Sequence, residues 1–348
     1  MNILLCLSHA IEEYDQLRLL SSLGHNVASI GGYIDPRNPH DPKRPALDID
    51  GVPEIKAAVD ALDTPDNLGA AQARLPDVAL DWADVIIYHH HLERLFGQWD
   101  RLADFRKRGR IIWRTVGQSV EYNELEARPF RNDGLQIVRY SPKERNIPGF
   151  AGEDALIRFY KDPAEWTGWT GENAVVLNIA QHDETPYARA EWLNWRFWEQ
   201  VTKDLPRVFA GPHSEKIGGL GALSLGDMKA LLRTSRVLLY TGTQPASYTL
   251  GLIEAMMTGI PVVSIGPEHM RIFPYGPDMF EGHEIAEPYD PLVLHDVLAD
   301  KELATMMSAS ARRHAIGLFG METIGRQWDA YLQGTRVEFS TARETVAA

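Results

Sequence analysis

The stretch with the clearest chemical content is Val237 to Ile265, VLLYTGTQPASYTLGLIEAMMTGIPVVSI. An apolar run leads into a loop of Gly, Pro and small hydroxyl residues. A helical stretch, a Gly turn at Gly259 and a second apolar run follow. Ser247 or Thr249 is placed to cap the helix that starts near Leu250. A helix N-terminus preceded by Gly242 and small polar residues offers free backbone N–H groups, an arrangement suited to a diphosphate. Glu254 follows about one turn into the helix. An ionised carboxylate only accepts hydrogen bonds, and its two oxygens can each take one from a vicinal diol such as that of ribose. A phosphate contact followed by a diol contact is the pattern of a nucleotide-diphosphate ligand.

Other groups with chemical potential follow apolar runs elsewhere. His89, His90 and His91 come directly after Val85 to Tyr88. Side chains alternate faces along a strand, so three adjacent histidines do not converge on one metal. Imidazole titrates near neutrality, which makes His89 and His90 candidates for acid/base work or acceptor contact, against the plainer reading of polar residues covering a strand end. His9 follows the first apolar run and is a candidate for the acceptor side. The loop TVGQS, with Gln118 and Ser119, follows the run at Arg110 to Trp113 and reads as a substrate-contacting loop. Gly218, Gly219 and Gly221 lack the Lys and Ser/Thr of a P-loop and read as a mobile loop over the base. Trp192, Trp195 and Trp198 share a helix face, as core residues do. The Asp48-Ile49-Asp50 triplet lies in a polar loop, and no ligand cluster of metal-binding spacing is visible, so no metal and no cofactor are expected.

The string LIEAMMTGIPVVS resembles the signature of the group-1 family of retaining GT-B glycosyltransferases, E-x7-E followed by A-M-x-x-G-x-P-V-V. The resemblance implies that Glu254 is the second glutamate of that pattern, binding the donor ribose. Ala246 stands where the first belongs, so Ser247, Tyr248, Thr249 and Leu250 must serve the sugar and phosphates in its absence. LPRVFAGP resembles the family strand that ends in Gly, here Gly211. The family's basic pair after the first strand of the second domain is missing. Gln181 stands near the usual Arg, which makes Arg189 the first candidate for neutralising the diphosphate, with Arg196 and Lys203 further along the helix. A histidine usual in the family's first-domain loop is replaced, Gln118 being nearest. Coverage runs roughly over residues 174–333, with a weaker match at LLSSLGHNV. The resemblance also implies retention at the anomeric carbon and work without a bound metal.

These groups need strands and helices to place them. Asn2 to Leu7, Val27 to Ile30, Val85 to Tyr88, Arg110 to Trp113 and Gln136 to Tyr140 read as strands. Tyr14 to Leu23, Pro53 to Leu62 and Leu92 to Lys107 read as helices between them. Pro142 to Gly171 breaks the rhythm and reads as the interdomain connection. A second alternating series follows: strands Ala174 to Ala180, Arg207 to Ala210, Val237 to Tyr240 and Pro261 to Ile265, with helices Ala188 to Lys203, Leu225 to Leu232 and Leu250 to Thr258. Three helices close the chain: Pro291 to Ala299, Glu302 to Leu318 and Glu322 to Leu332. This predicts an α/β protein with the GT-B fold: two Rossmann-like doubly wound domains facing across a cleft, with ligands at the carboxyl ends of the strands. The expected division is an acceptor domain at 1–165, a donor domain at 166–320, a helix at 321–334 packing back on the first domain, and a tail at 335–348.

Bulk properties narrow the function classes. The 348 residues suit two domains, and 44% hydrophobic with 24% charged is an ordinary globular composition. No apolar run approaches the ~20 residues of a membrane helix. One cysteine, Cys6, rules out an intrachain disulfide and fits a cytoplasmic protein. A formal charge of −13 argues against general polyanion binding. The expected partners are a nucleotide-diphosphate sugar, UDP-sugars foremost, and a hydroxyl-bearing acceptor. A hydroxymethylated base in DNA is the less favoured acceptor, and the sequence leaves the oligomeric state open. The alternatives are a sugar-nucleotide epimerase of the same fold and a catalytically inactive nucleotide-sugar-binding protein.

Overall fold

The computed structural model of the chain describes residues 1–7, 9–31, 44, 52–62, 64, 67–89, 91–117, 120–180, 193–266, 269 and 279–341. The fold divides into two units. One comprises Met1–Tyr160 and Gly325–Phe339, the other Lys161–Ile324 and Ser340–Ala348. The first crossing falls inside the Pro142 to Gly171 segment, and the second falls within the helix Met321–Leu332.

The first unit is built on β1 (Asn2–Cys6), β2 (Asn26–Ser29), β3 (Val85–Tyr88), β4 (Arg110–Arg114), β5 (Leu135–Arg139) and β6 (Ala155–Leu156). They form one sheet in the order β2-β1-β3-β4-β5-β6, with every described pairing parallel. Strands such as VIIY in β3 are buried throughout, as expected where both faces are covered. β6 lies inside the segment read from sequence as a connection. Its two residues are too few to give a period, and Arg139 and Val138 recruit it through the register. The helical pattern over Leu92 to Lys107 resolves into two short helices, Leu92–Phe96 and Ala103–Arg106. Between them the chain turns so that Trp99 is buried and donates Nε1–H to Asp133 at 2.7 Å. The first helix, Ala10–Ser22, starts four residues before its apolar pattern does, because Glu12, Glu13, Asp15 and Gln16 are buried rather than solvated.

The second unit holds β7 (Asn173–Ile179), β8 (Arg207–Ala210), β9 (Ser235–Tyr240), β10 (Val262–Ser264) and β11 (Glu287–Pro288), in the order β11-β10-β9-β7-β8, again all parallel. Within each unit the second strand in chain order lies outside the first, and the third lies on the first strand's other side. That reversal creates a switch point where neighbouring loops leave in opposite directions, and open α/β sheets bind ligands there. In the first unit the switch lies between β1 and β3, in the second between β7 and β9. Trp195 and Trp198 are buried in the second unit's core, with Trp195 edge-on to Phe209 at 5.0 Å. The closing helices Pro291–Ala299 and Lys301–Phe319 are capped by the carboxylates of Asp290 and Asp300. Among the described residues no helix is long and apolar enough to cross a membrane.

Candidate functional site

The second unit's switch point is occupied by the loop that leaves β9. Asn178, near the end of β7, donates from Nδ2 to the Leu239 carbonyl at 3.0 Å and to the Thr241 hydroxyl at 3.3 Å. Asn194, left-handed at φ 52°, donates from Nδ2 to the Thr241 carbonyl at 2.7 Å. Its Oδ1 accepts from Gln244 Nε2 at 3.2 Å. Asn tolerates that backbone conformation better than most residues. The Ala246 N–H closes a turn on the Thr243 carbonyl at 2.9 Å. Farther on, the Thr249 N–H donates to the Tyr240 hydroxyl at 2.9 Å. Burial pushes the Tyr240 phenol well above its ordinary range, so it stays a neutral hydroxyl able to accept that bond. The Ser247 carbonyl accepts from the Glu281 N–H at 2.9 Å. Side chains from three separate elements thus hold the loop from Thr241 to Thr249 in one shape.

Gly242 has φ +74°, and a Cβ there would meet Phe280 Cε2 at 2.9 Å. Gly211, at the end of β8, has φ +136°, and a Cβ would lie 1.6 Å from the Ala180 carbonyl oxygen. Both positions therefore require glycine. Thr249 is the N-cap residue of the helix Leu250–Thr258, but neither its hydroxyl nor any other side chain makes the cap bond. The expected Ser/Thr cap bond is absent, and the Tyr240 hydroxyl accepts the backbone N–H of the cap residue Thr249 itself. Tyr248 is buried against Phe319 at 5.7 Å, so its side chain belongs to the packing of the loop. Leu250 is half-buried at the first turn.

Glu254 lies on this helix, and its carboxylate is almost wholly enclosed. The Lys161 ammonium donates to Glu254 Oε1 at 2.6 Å, with the two side chains 0% and 5% exposed. Sequence reasoning missed Lys161. It lies 93 residues from its partner, in a stretch with no motif of its own.

Arg196 is exposed on the helix Trp195–Thr202, and Lys203, just beyond it, is exposed beside Asp204 at 3.8 Å. Arg189 and Gln181 lie outside the described residues, as does Trp192. The Gly218–Gly221 segment, read as mobile, is tied to the end of β8. The Leu220 N–H donates to the Phe209 carbonyl at 3.0 Å, and the Gly211 N–H to the Gly221 carbonyl at 2.9 Å.

In the first unit, His9 and His89 come at the carboxyl ends of β1 and β3, on the two sides of that unit's switch point. His9 is the N-cap of Ala10–Ser22, and its Nδ1 accepts from the Glu12 N–H at 3.5 Å. His89 is buried, and its backbone N–H donates to the Cys6 carbonyl at 3.2 Å. His91 adopts φ 48° and pairs with Glu93 at 3.1 Å, facing solvent. His90, Gln118 and Ser119 lie outside the described residues, as does the Asp48 to Asp50 triplet. Thr115, at the base of the TVGQS loop, donates to Glu144 at 2.8 Å. Burial raises the Glu144 carboxyl above its usual range, against the lowering pull of Arg139 and Thr115. Nearby, Arg139 and Glu124 form a fully buried bidentate pair at 2.6 and 2.8 Å. None of these buried charges was evident from sequence. Among the described residues no group of His, Cys, Asp and Glu is placed to hold a metal ion.

No protein-family model matches the chain, and no curated protein matches it. Solved structures do. Anabaena HepE in complex with UDP-glucose superposes with a TM-score of 0.64 at 13% identity, over 96% of this chain and 100% of that one. A glycosyltransferase from Rickettsia africae ESF-5 gives 0.61 at 12%, over 99% and 98%. The lipopolysaccharide outer core galactosyltransferase WaaB, in its apo form, gives 0.53 at 11%, over 96% and 99%. What the chain shares with these proteins along nearly its whole length is their architecture, and it has the GT-B fold.

Proposed function

We propose that the chain is a glycosyltransferase that moves a sugar from a nucleotide-diphosphate donor to a hydroxyl acceptor, with retention at the anomeric carbon. The observation that carries this reading is the pinned loop from Thr241 to Thr249 at the second unit's switch point, followed by a buried carboxylate on the helix it feeds. The loop backbone and the helix N-terminus would hold the diphosphate, and Glu254 would take the ribose diol. Transfer needs the leaving diphosphate stabilised and the two substrates aligned. The donor side of that task falls to Gly211, Gly242, Ser247, Thr249 and Leu250, with Arg189 or Arg196 supplying positive charge. The acceptor side falls to the first unit, around His9, His89, His90, Gln118 and Ser119.

HepE, with the same architecture, was crystallised with UDP-glucose, which supports a UDP-sugar as donor. No metal or other cofactor enters this reading. The buried lone cysteine, Cys6, supports work in the cytoplasm.

The test is a thermal-shift panel of UDP-, GDP- and ADP-sugars on the full chain, followed by turnover of the best binder with and without hydroxyl acceptors. A ligand that binds only the folded state raises its melting temperature by mass action. Transfer that requires acceptor is the expected result. Isomerisation of the donor alone would mean an epimerase, and tight binding without turnover would mean a binding protein. Transfer only to hydroxymethylated DNA would change the acceptor and keep the reaction.

A further inference from the structure

We propose that the second unit carries a second small-molecule site, for an apolar ligand bearing one positive charge, in a cavity behind the helix Leu250–Thr258. The cavity measures about 330 Å³. Small-molecule pockets span roughly 300–1,000 Å³, whereas ordinary packing leaves few voids larger than a water. Its walls are apolar and come from four elements: Met256 on Leu250–Thr258, Val262 on β10, Ile285 on the helix Gly282–Ile285, and Leu303 and Met307 on Lys301–Phe319. Leu303, Met307 and Ala311 follow at spacings of four, which makes them one stripe of that last helix. The small side chains of Ala286, Ser310 and Ala311 leave the space in front of the stripe unfilled.

The cavity opens to solvent, since Met306 lines it while 71% exposed. Methionine side chains are flexible and polarisable, so Met256, Met306 and Met307 can mould to an irregular apolar body.

Its charged rim is acidic. Glu284 and Glu287 line it, and no Lys or Arg is among the described lining residues. Glu284 and His314 have interactions of their own, so recognition of the ligand's charge is assigned to Glu287. Glu287 is exposed at the start of β11, and among the described residues its carboxylate makes no hydrogen bond or ion pair. An apolar wall beside that carboxylate complements an alkylammonium and opposes an anion.

The cavity is separate from the candidate donor site. Position 256 is about 200° round the helix from position 254, so Met256 faces away from Glu254. β10 and β11 form the edge of the sheet, whereas the switch point lies between β7 and β9.

The experiment titrates hexylammonium, hexanol and hexanoate into the full chain with isotope-labelled methionine methyl groups, following the Met256 and Met307 signals by NMR. Met256→Leu and Met307→Leu variants assign the two signals. Hexylammonium should shift both to saturation by about 10 mM. It should bind about two- to fivefold tighter than hexanol, the worth of a partly exposed ion pair, with hexanoate weakest. Glu287→Gln should remove that preference and leave hexanol unchanged. Ala311→Phe, which fills the cavity, should abolish the shifts; should it fail to fold, Ser310→Phe at an exposed position takes its place. Saturating UDP should leave hexylammonium affinity within about twofold.

No saturable shift, or a shift that survives the filling variant, overturns the site. Hexanol or hexanoate binding as tightly as hexylammonium, or a preference that survives Glu287→Gln, overturns the cationic ligand class. Competition by UDP overturns the separation of the cavity from the nucleotide site.

Discussion

Replacing Asn194 by Ala probes how firmly the candidate donor loop is held. The change deletes two hydrogen bonds at once, Nδ2 to the Thr241 carbonyl at 2.7 Å and Gln244 Nε2 to Oδ1 at 3.2 Å. The groups left behind are on buried residues. A buried polar group stranded without its partner costs about 1–3 kcal/mol. Two of them give roughly 2–4 kcal/mol, taking the weaker end for the longer bond. Position 194 also has φ 52°, a left-handed conformation that costs an alanine about 1–2 kcal/mol. Asn194→Ala should therefore destabilise the second unit by about 3–6 kcal/mol.

Asn194→Gly loses the same hydrogen bonds and escapes the backbone strain, but it adds about 0.5–1 kcal/mol of disorder to the unfolded chain. Glycine should come out better than alanine by roughly 0.5–1 kcal/mol. Urea unfolding followed through tryptophan fluorescence reads both numbers, since Trp195 and Trp198 lie in this unit's core. UDP titration at a temperature where each variant is folded should show weaker binding for both, because a loosened loop must be ordered on binding. Alanine and glycine variants within about 0.5 kcal/mol of wild type would refute the claim that Asn194 pins the loop. A glycine variant less stable than the alanine variant would refute the strain argument.

Gly211→Ala and Gly218→Ala form a second contrast, read by thermal melts. Both positions have positive φ, but a Cβ at Gly211 meets the Ala180 oxygen at 1.6 Å and one at Gly218 meets nothing within 4 Å. The first should lose more than about 3 kcal/mol or fail to accumulate as folded protein, and the second about 1 kcal/mol. Tyr240→Phe removes the hydroxyl that accepts the Thr249 N–H. It should lower stability by about 1 kcal/mol and weaken UDP binding, with Thr249→Ala preserving the stability because that bond uses the backbone. Transferase activity should survive EDTA at full rate; complete loss restored by Mg or Mn would remove the metal-free reading of the site.

The sequence by itself determined the kind of protein. Apolar runs alternating with amphipathic stretches are a local pattern, set by which faces each element must bury. They foretold β1 to β5, β7 to β10 and the three closing helices within a few residues, and with them the α/β class. The loop from Gly242 to Thr249 and the helix that carries Glu254 were equally legible as local structure, because glycine, proline and small hydroxyls end the strand before it and Gly259 ends the helix.

Tertiary structure decided everything that depends on partners distant in the chain. The order of strands, and so the position of the switch points, follows from which buried faces fit together. β6 and β11 are two residues each and exist only because a neighbouring strand offers its edge. The Thr249 cap was read from spacing alone, but its side chain makes no cap bond, and the Tyr240 hydroxyl, nine residues back on β9, accepts the Thr249 backbone N–H. Asn178 and Asn194 look like ordinary polar residues until the fold brings both to Thr241. Glu12 and Glu13 are adjacent charges near the start of the chain, yet both are buried; Glu13 accepts from Ser29 at 2.6 Å, and its carboxylate fills the space a side chain at Gly31 would need. Lys161 was invisible for the same reason. A lysine announces a charge but not its burial, and only the folded chain sets its ammonium against Glu254, where the low dielectric makes the choice of partner decisive.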